Sequence, residues 1–186
     1  MIKNRSLKMF STTYILFSKI YRSKYVEFLQ TDFPKVPFTT DYNLFIEIGK
    51  LGRKLVDLHL MKSKELQNPI AKFQGHGDDT VKKIAYQEEA RVYINQTQFF
   101  EGVERDVWEY LIGGYQVLSK WLKYRKGRTL SFEDIKHFCK VATVLKRTVE
   151  IQDEIDKLYP NVEKDVVPFE KKNVTIEKYT KSEAKC

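Results

Sequence analysis

The residues with the most distinctive chemistry lie in one stretch, residues 113–128, which is rich in cations and contains no carboxylate. Lysine and arginine side chains neutralise phosphates, and such contacts hold a protein on a nucleic acid without reading its sequence. A basic helix face that is merely solvated is the alternative interpretation. The candidate phosphate contacts are Lys120, Lys123, Arg125, Lys126 and Arg128.

A second group of residues suits contacts with bases. Asn95, Gln96 and Gln98 carry amides that can pair bidentately with adenine, although amides near strand ends more often cap backbone groups. Paired glycines permit backbone angles and close approaches that a side chain would block. The candidates for base readout or close approach are Gly113, Gly114, Tyr115, Gln116, Tyr93, Asn95 and Gln98.

Catalytic signatures are missing from the sequence, which contains no GxxxxGK(S/T), GxGxxG, GxSxG or HExxH pattern. Asn68, Pro69 and Ile70 lack the second proline and the aromatic ring of the tetrad with which amino-methyltransferases hold a target base. Residues 76–79 are typical of a solvated turn rather than a metal site. We therefore expect a chain that is not an enzyme by itself and that holds no metal or cofactor.

The positive charge of the chain is clustered. The net charge of the 186 residues is +8; the first 26 residues carry +6 and residues 115–130 carry +5, so the remainder carries −3 by difference. Clustering of this kind favours a polyanionic partner. Nucleic acid fits better than a membrane, because the basic segments carry tyrosine and tryptophan at core-like spacing rather than one insertable apolar face.

Cysteine usage and apolar run lengths bound the class of protein. Cys139 and Cys186 are too few for a disulfide framework, and no run approaches the roughly 18 apolar residues of a membrane span. The hydrophobic content of 42% agrees with one globular domain. We expect a cytoplasmic protein with no membrane partner.

Hydrophobic spacing predicts the helices. Apolar residues recur at three- and four-residue steps over residues 10–30, and again from a cap near residues 39–41 to residue 61. Gly49 and Gly52 lie inside the second of these helices, which predicts that another element packs closely against it.

Three more helices are predicted in the second half of the chain. A short helix is expected over residues 103–112, and the basic stretch is expected to be helical from Tyr115, with its apolar and cationic residues on opposite sides. The longest helix begins at Ser131, continues to Leu158 and is stopped by Pro160.

The middle of the chain predicts a small sheet. Residues 81–86 and 91–95 are rich in β-branched and aromatic side chains and are joined by four residues, which favours an antiparallel hairpin. Residues 70–73 suit a third, shorter strand. Alternation along the second strand predicts that Tyr93 and Asn95 face outward.

These patterns together predict an α+β fold that is predominantly helical, with several amphipathic helices packed on a small antiparallel hairpin or three-stranded sheet. Residues 1–160 are expected to form the recognition domain. Residues 161–186 mix charges without periodicity, so we expect a flexible, charged tail.

Three blocks of the sequence also resemble a known family. They are YRSKYVEFLQTDFPKVPFT (residues 21–39) followed by LGRKLVDLHL (51–60), RVYINQTQFFEGV (91–103) and VWEYLIGGYQVLSKWLKYRKGRTLSFEDI (107–135). Their order and their amino-acid sequences resemble the C-terminal specificity domain of type ISP restriction-modification enzymes, over roughly residues 14–158. These enzymes are large single chains with nuclease, helicase-like ATPase and adenine methyltransferase modules.

The resemblance implies a target-recognition domain that reads double-stranded DNA so that an attached methyltransferase can flip out and methylate adenine at N6. S-adenosylmethionine, ATP and Mg would then belong to modules not present in this chain. Only the framework of Gly113, Gly114, Tyr115 and residues 120–128 transfers, since base-contacting positions vary with the site read. A chain that starts at Met1 without those modules is expected to be an excised piece, a split subunit or a remnant.

Two other functions stay open at this level. Long apolar seams would also suit a non-catalytic coupling module that docks on a methyltransferase or helicase partner, in cis or in trans. Exposed tyrosines would suit binding of single-stranded nucleic acid.

Overall fold

A computed structural model describes residues 2–168 of the chain, with side chains from residue 8 onward. The helices are α1 (Ile2–Phe17), α2 (Lys19–Lys24), α3 (Val26–Thr31), α4 (Tyr42–His59), α5 (Arg105–Trp108), α6 (Val117–Lys123) and α7 (Phe132–Lys164), with a 3-10 turn at Lys64–Gln67. The strands are β1 (Lys72–Gln74), β2 (Ala85–Gln87), β3 (Arg91–Tyr93), β4 (Phe99–Glu101), β5 (Leu111–Ile112) and β6 (Tyr115–Gln116). The α+β, helix-rich class predicted from sequence is confirmed.

The first hydrophobic core lies between α1, α2, α4 and the C-terminal part of α7. Its largest buried side chains include Tyr14, Tyr21 and Tyr159. The single helix predicted over residues 10–30 is wrong, because the chain breaks at Ser18. The Ser18 hydroxyl accepts the backbone N–H of Tyr21 at 3.1 Å and donates to the Asp156 carboxylate at 2.7 Å, so it caps α2 while fastening this corner to α7.

Helices α1 and α4 cross at Gly52 with almost no space between their backbones. A Cβ atom at this position would lie 1.9 Å from the carbonyl oxygen of Phe10. Only glycine permits that approach. The close packing predicted from the glycines inside α4 is therefore confirmed at Gly52.

The second core lies beneath an antiparallel sheet with strand order β1-β4-β3-β2. Phe100 of β4 is fully buried and its ring stacks on that of Phe138 in α7, with 4.0 Å between centroids. The sheet has one strand more than predicted: β4 was missed because its three residues, Phe99–Glu101, are too few to show alternation. The predicted antiparallel hairpin is confirmed as the β2–β3 pair, but its first strand begins at Ala85 rather than at residue 81, and the loop is residues 88–90 rather than 87–90.

Helix α7 crosses both cores and is 33 residues long. The prediction that Pro160 stops it is wrong, because the helix continues to Lys164. Burial of Tyr159 and Val162 and a 2.7 Å hydrogen bond from the Tyr159 hydroxyl to Glu163 hold the helix through the proline. The proposed start of a tail at residue 161 thus falls inside a helix, and residues 169–186 lie outside the described part of the chain.

Candidate nucleic-acid interface

The paired glycines form the turn of a short β-hairpin rather than the entrance to a helix. Gly113 and Gly114 have φ angles of 57° and 81°, and β5 pairs with β6 on either side of them. Positive φ at both central positions is typical of a type I′ hairpin turn. The helix predicted over residues 103–112 is therefore wrong at Leu111 and Ile112, which form β5. The helix predicted from Tyr115 is wrong at Tyr115 and Gln116, which form β6.

The hairpin tip projects away from the rest of the domain. Apart from the adjacent residues, a Cβ atom on Gly113 or Gly114 would have no atom of the described chain within 4 Å. Tyr115 is 60% exposed and Gln116 is half-buried. The structure thus leaves the tip open to close approach by a ligand.

Helix α6 follows the hairpin and separates apolar from cationic residues as predicted, although it is only seven residues long. Leu118 and Leu122 are fully buried in the second core. On the other side, the Lys120 ammonium lies 3.3 Å from the ring centroid of Tyr115 and 5.8 Å from that of Tyr124. These cation–π contacts fix the ammonium beside the hairpin.

The remaining four cations divide into two kinds. Lys123, Lys126 and Arg128 are exposed, and within residues 8–168 they make no ion pair. Arg125 instead turns inward: its Nε donates to Asp134 at 3.1 Å and its guanidinium carbon lies 3.6 Å from the Trp121 ring centroid. Arg125 therefore joins α6 to the start of α7, and its charge is already compensated.

Asp134 holds the other end of this connection. Its carboxylate accepts the hydroxyl of Ser131 at 2.8 Å and the backbone N–H of Ser131 at 3.1 Å, which completes the predicted capping box of α7. Hydrogen bonds from Ser131, followed by that from Arg125, lower the pKa of Asp134 below its usual range. The carboxylate is thus ionised at neutral pH and fixes the path by which the basic segment enters α7.

The amides of Asn95 and Gln98 are structural. Asn95 is buried; its Oδ1 accepts the backbone N–H groups of Thr97 and Gln98, and its Nδ2 donates to the carbonyl of Thr80 and to Gln98. The Gln98 amide also accepts the backbone N–H of Asp79 at 2.9 Å and donates to the Asp79 carboxylate at 2.5 Å. The prediction that Asn95 faces outward is wrong, because capping the 95–98 turn turns its side chain inward.

This amide network places a loop beside the basic segment. Residues 79–81 pair with residues 127–130 through backbone hydrogen bonds from Val81 to Arg128 at 3.0 Å and from Leu130 to Asp79 at 2.9 Å. The hydroxyls of Thr80 and Thr129 also meet at 3.0 Å. Arg128 and the loop therefore share one surface.

The loop surface carries polar residues that sequence reasoning did not single out. An open pocket of about 530 Å³ lies between the 77–83 loop and the 95–97 turn. Lys82 is compensated there by Asp78 at 2.8 Å, whereas Lys83, Gln96 and Thr97 are exposed. The Lys82-Lys83 pair was the available signal, but its position beside Arg128 depends on tertiary pairing.

Tyr93 of β3 is half-buried, and its ring packs on that of Phe99 with 4.9 Å between centroids. Tyr93 therefore belongs to the sheet and is separated in sequence from the β5–β6 hairpin.

Among residues 2–168, no group of three or more His, Cys, Asp or Glu side chains is placed to hold a metal ion. No helix in that part of the chain is both long and apolar enough to cross a membrane.

Comparison with known proteins gives the family. Residues 9–154 match the model of the type ISP C-terminal specificity domain. No curated protein sequence matches the chain significantly.

Three solved structures share the fold. A nuclease-deletion mutant of the type ISP enzyme LlaGI in complex with a DNA substrate mimic is 21% identical, with a TM-score of 0.59 over 81% of this chain and 16% of that one. The ATP-dependent type ISP enzyme LlaBIII bound to DNA is 23% identical, with a TM-score of 0.59 over 79% and 11%. A cryo-EM structure of a DrdV–DNA complex is 19% identical, with a TM-score of 0.63 over 81% and 18%.

The chain spans less than a fifth of the length of each of these enzymes. The blocks that suggested a resemblance, including the hairpin and the basic segment, lie within the matched range. Since the match extends over most of the sequence, this chain belongs to the type ISP C-terminal specificity domain family.

Proposed function

We propose that this chain recognises a specific sequence in double-stranded DNA. In this role it positions the DNA for an adenine-N6 methyltransferase and for ATP-dependent restriction modules outside the chain. The observation that carries the proposal is the exposed set of Lys123, Lys126 and Arg128, which form no ion pair within residues 8–168, beside a projecting hairpin. Family membership and the DNA complexes of the similar structures support it.

The residues divide into three roles. Lys120, Lys123, Lys126 and Arg128 contact phosphates and hold the register, since such contacts carry no sequence information. The hairpin with Tyr115 and Gln116 contacts bases, and Gly113 and Gly114 permit its close approach. Three predicted contacts change role, because Arg125, Asn95 and Gln98 position the interface through contacts within the protein. Tyr93 stays a candidate for base contact, but from the sheet rather than from the hairpin.

The remaining parts of the proposal concern what the chain lacks. It is not an enzyme by itself, in keeping with a specificity domain. S-adenosylmethionine, ATP and Mg bind the other modules, which are its partners in cis or in trans. Its location is the cytoplasm, where those modules meet DNA.

The salt dependence of duplex binding tests the phosphate contacts. The logarithm of the association constant falls with the logarithm of salt concentration by about 0.9 per phosphate contact. The double variant Lys123→Ala/Lys126→Ala should therefore bind every duplex more weakly, with a slope shallower by about 2. Fluorescence anisotropy with a mixed-sequence duplex between 50 and about 200 mM salt measures both quantities.

Lys50→Ala/Lys54→Ala is the matched control, because it removes two exposed lysines from α4, which lies in the other core. This control should bind duplex with an unchanged slope. Equal slopes for wild type and for the Lys123/Lys126 variant would contradict the proposal, as would wild type that binds no duplex at low salt.

A coupling module is the second candidate, and one observation favours it. An open groove of about 990 Å³ runs between α4 and α7, where Tyr42 is 69% exposed beside Ile46 and Leu158. If this groove docks a methyltransferase or helicase partner, the Lys123→Ala/Lys126→Ala variant should retain that partner. A pull-down with the methyltransferase module separates the two functions.

A further inference from the structure

The tip of the β5–β6 hairpin exposes large apolar side chains to water. Leu111, Ile112 and Tyr115 are 57%, 52% and 60% exposed, and Tyr124 beside them is 68% exposed. A cluster of this kind on an otherwise polar surface marks a contact site.

Both faces of the hairpin are exposed. Ile112 pairs with Tyr115 and Leu111 pairs with Gln116, and cross-strand partners share a face while successive residues alternate. An element that docks on a flat protein surface buries one face. An exposed apolar side chain thus lies on each face, Leu111 on one and Ile112 with Tyr115 on the other, which suits a ligand that encloses the hairpin from two sides, as a groove does.

The charges around the hairpin indicate that the ligand enclosing it is a polyanion. Lys120 is fixed 3.3 Å from the Tyr115 ring centroid, and Lys123, Lys126 and Arg128 follow on the same segment. The major groove of B-DNA is about 12 Å wide and admits a two-stranded β-ribbon, whereas the minor groove is about 6 Å wide. The apolar groups on the floor of the major groove are the thymine methyl groups.

We propose that the hairpin enters the major groove and that Leu111 and Ile112 contact thymine methyl groups, which makes them specificity-determining residues for thymine. The inference rests on the proposed function, since it specifies how the bound duplex is read. The turn at Gly113 and Gly114 brings no side chain of its own, so it lets the two flanking strands reach the base edges. Lysines beside the hairpin then meet the phosphates at the groove edges.

Removal of thymine methyl groups tests the inference directly. A randomised duplex library is selected on the full chain, and the bound pool is copied with dUTP in place of dTTP, so that sequences stay equal and only the methyl groups are lost. Each buried methyl group corresponds to about a four-fold change in affinity. Wild type should therefore bind the uracil pool about four- to sixteen-fold more weakly than the thymine pool.

The variant Leu111→Ser/Ile112→Ser should bind both pools equally, with a wild-type salt slope and a wild-type circular dichroism spectrum. Phe33→Ser, which removes a side chain that is 88% exposed elsewhere, should discriminate as wild type does. Equal binding of the two pools by wild type would overturn the inference and point to a protein partner for the hairpin. Undiminished discrimination by the serine variant would overturn it as well.

The proposed function fails differently. A wild-type chain that binds neither pool contradicts DNA recognition itself, and this inference with it. Duplex binding with a steep salt slope but no discrimination between the pools overturns only the role of Leu111 and Ile112.

Discussion

Asn95 and Gln98 show that a residue type suited to base contact can be committed to the protein instead. Both amides lie in a closed network with Asp79 and with backbone groups of the 95–98 turn. Buried amides leave desolvated partners behind when they are removed, which costs more than the hydrogen bond contributes when it is formed. These residues therefore shape the loop surface through contacts within the protein.

Substitution of Asn95 by alanine should destabilise the domain. It leaves the backbone N–H groups of Thr97 and Gln98 without their acceptor and removes one of the donors to the Gln98 side-chain oxygen, so we expect the free energy of unfolding to fall by about 2–3 kcal/mol. Urea unfolding followed by circular dichroism measures this quantity.

Gln96 is the matched control, because it has the same amide group one residue away but is exposed. Gln96→Ala should change the free energy of unfolding by less than about 0.5 kcal/mol. Similar stability for the two variants would show that the network around Asn95 does not contribute as the hydrogen bonds indicate.

At the scale of elements, α7 illustrates how packing overrides a local signal. Proline within a helix removes one backbone hydrogen bond and clashes with the preceding turn. Here the residues on both sides of Pro160 are held by the first core, because Tyr159 and Val162 are fully buried. The helix therefore retains a local defect that its packing offsets.

Pro160→Ala should stabilise the protein. It restores the N–H donor to the carbonyl of Asp156 and relieves the clash, against a smaller loss from the more flexible unfolded chain. We expect the free energy of unfolding to rise by about 1–2 kcal/mol, measured by urea unfolding.

Lys157→Ala serves as the control on the same exposed side of α7, and it should change stability by only a few tenths of a kcal/mol. If Pro160→Ala lowered the free energy of unfolding, the proline would be required for the path of the helix, contrary to this account.

At the scale of the whole molecule, two hydrophobic cores share one helix. The helical core takes residues such as Ile155 from α7, and the core beneath the sheet takes Phe138 from the same helix. Neither core is complete without α7, so unfolding of one exposes the packing face of the other. We therefore expect both cores to unfold in one transition.

Gly52→Ala tests this coupling from the far side of the molecule. The new Cβ would meet the Phe10 backbone at 1.9 Å, so α1 and α4 must separate, and the free energy of unfolding should fall by about 1–3 kcal/mol despite the better helix propensity of alanine. Trp108 and Trp121 both belong to the second core. Their fluorescence and the circular dichroism signal should therefore shift to the same lower urea midpoint.

Lys54→Ala, on an exposed position of α4, should leave both midpoints unchanged. A fluorescence midpoint that stays at the wild-type value while the circular dichroism midpoint falls would show two independently unfolding cores.

The sequence by itself determined the helix-rich class, the amphipathic seam of α4, the capped start of α7 and the cationic segment without carboxylates. These features are encoded in residues a few positions apart, where helical periodicity and capping act. Only the tertiary structure decided that Arg125 is compensated, that Asn95 and Gln98 are buried, and that residues 111–116 form a hairpin. For the two amides the partners come from other segments, such as Asp79 for Gln98 and Thr80 for Asn95, and no local pattern specifies which distant residues will meet. The hairpin is different: its Gly-Gly turn is a local signal, but the helical spacing that follows it competes with that signal, and the structure decided between them.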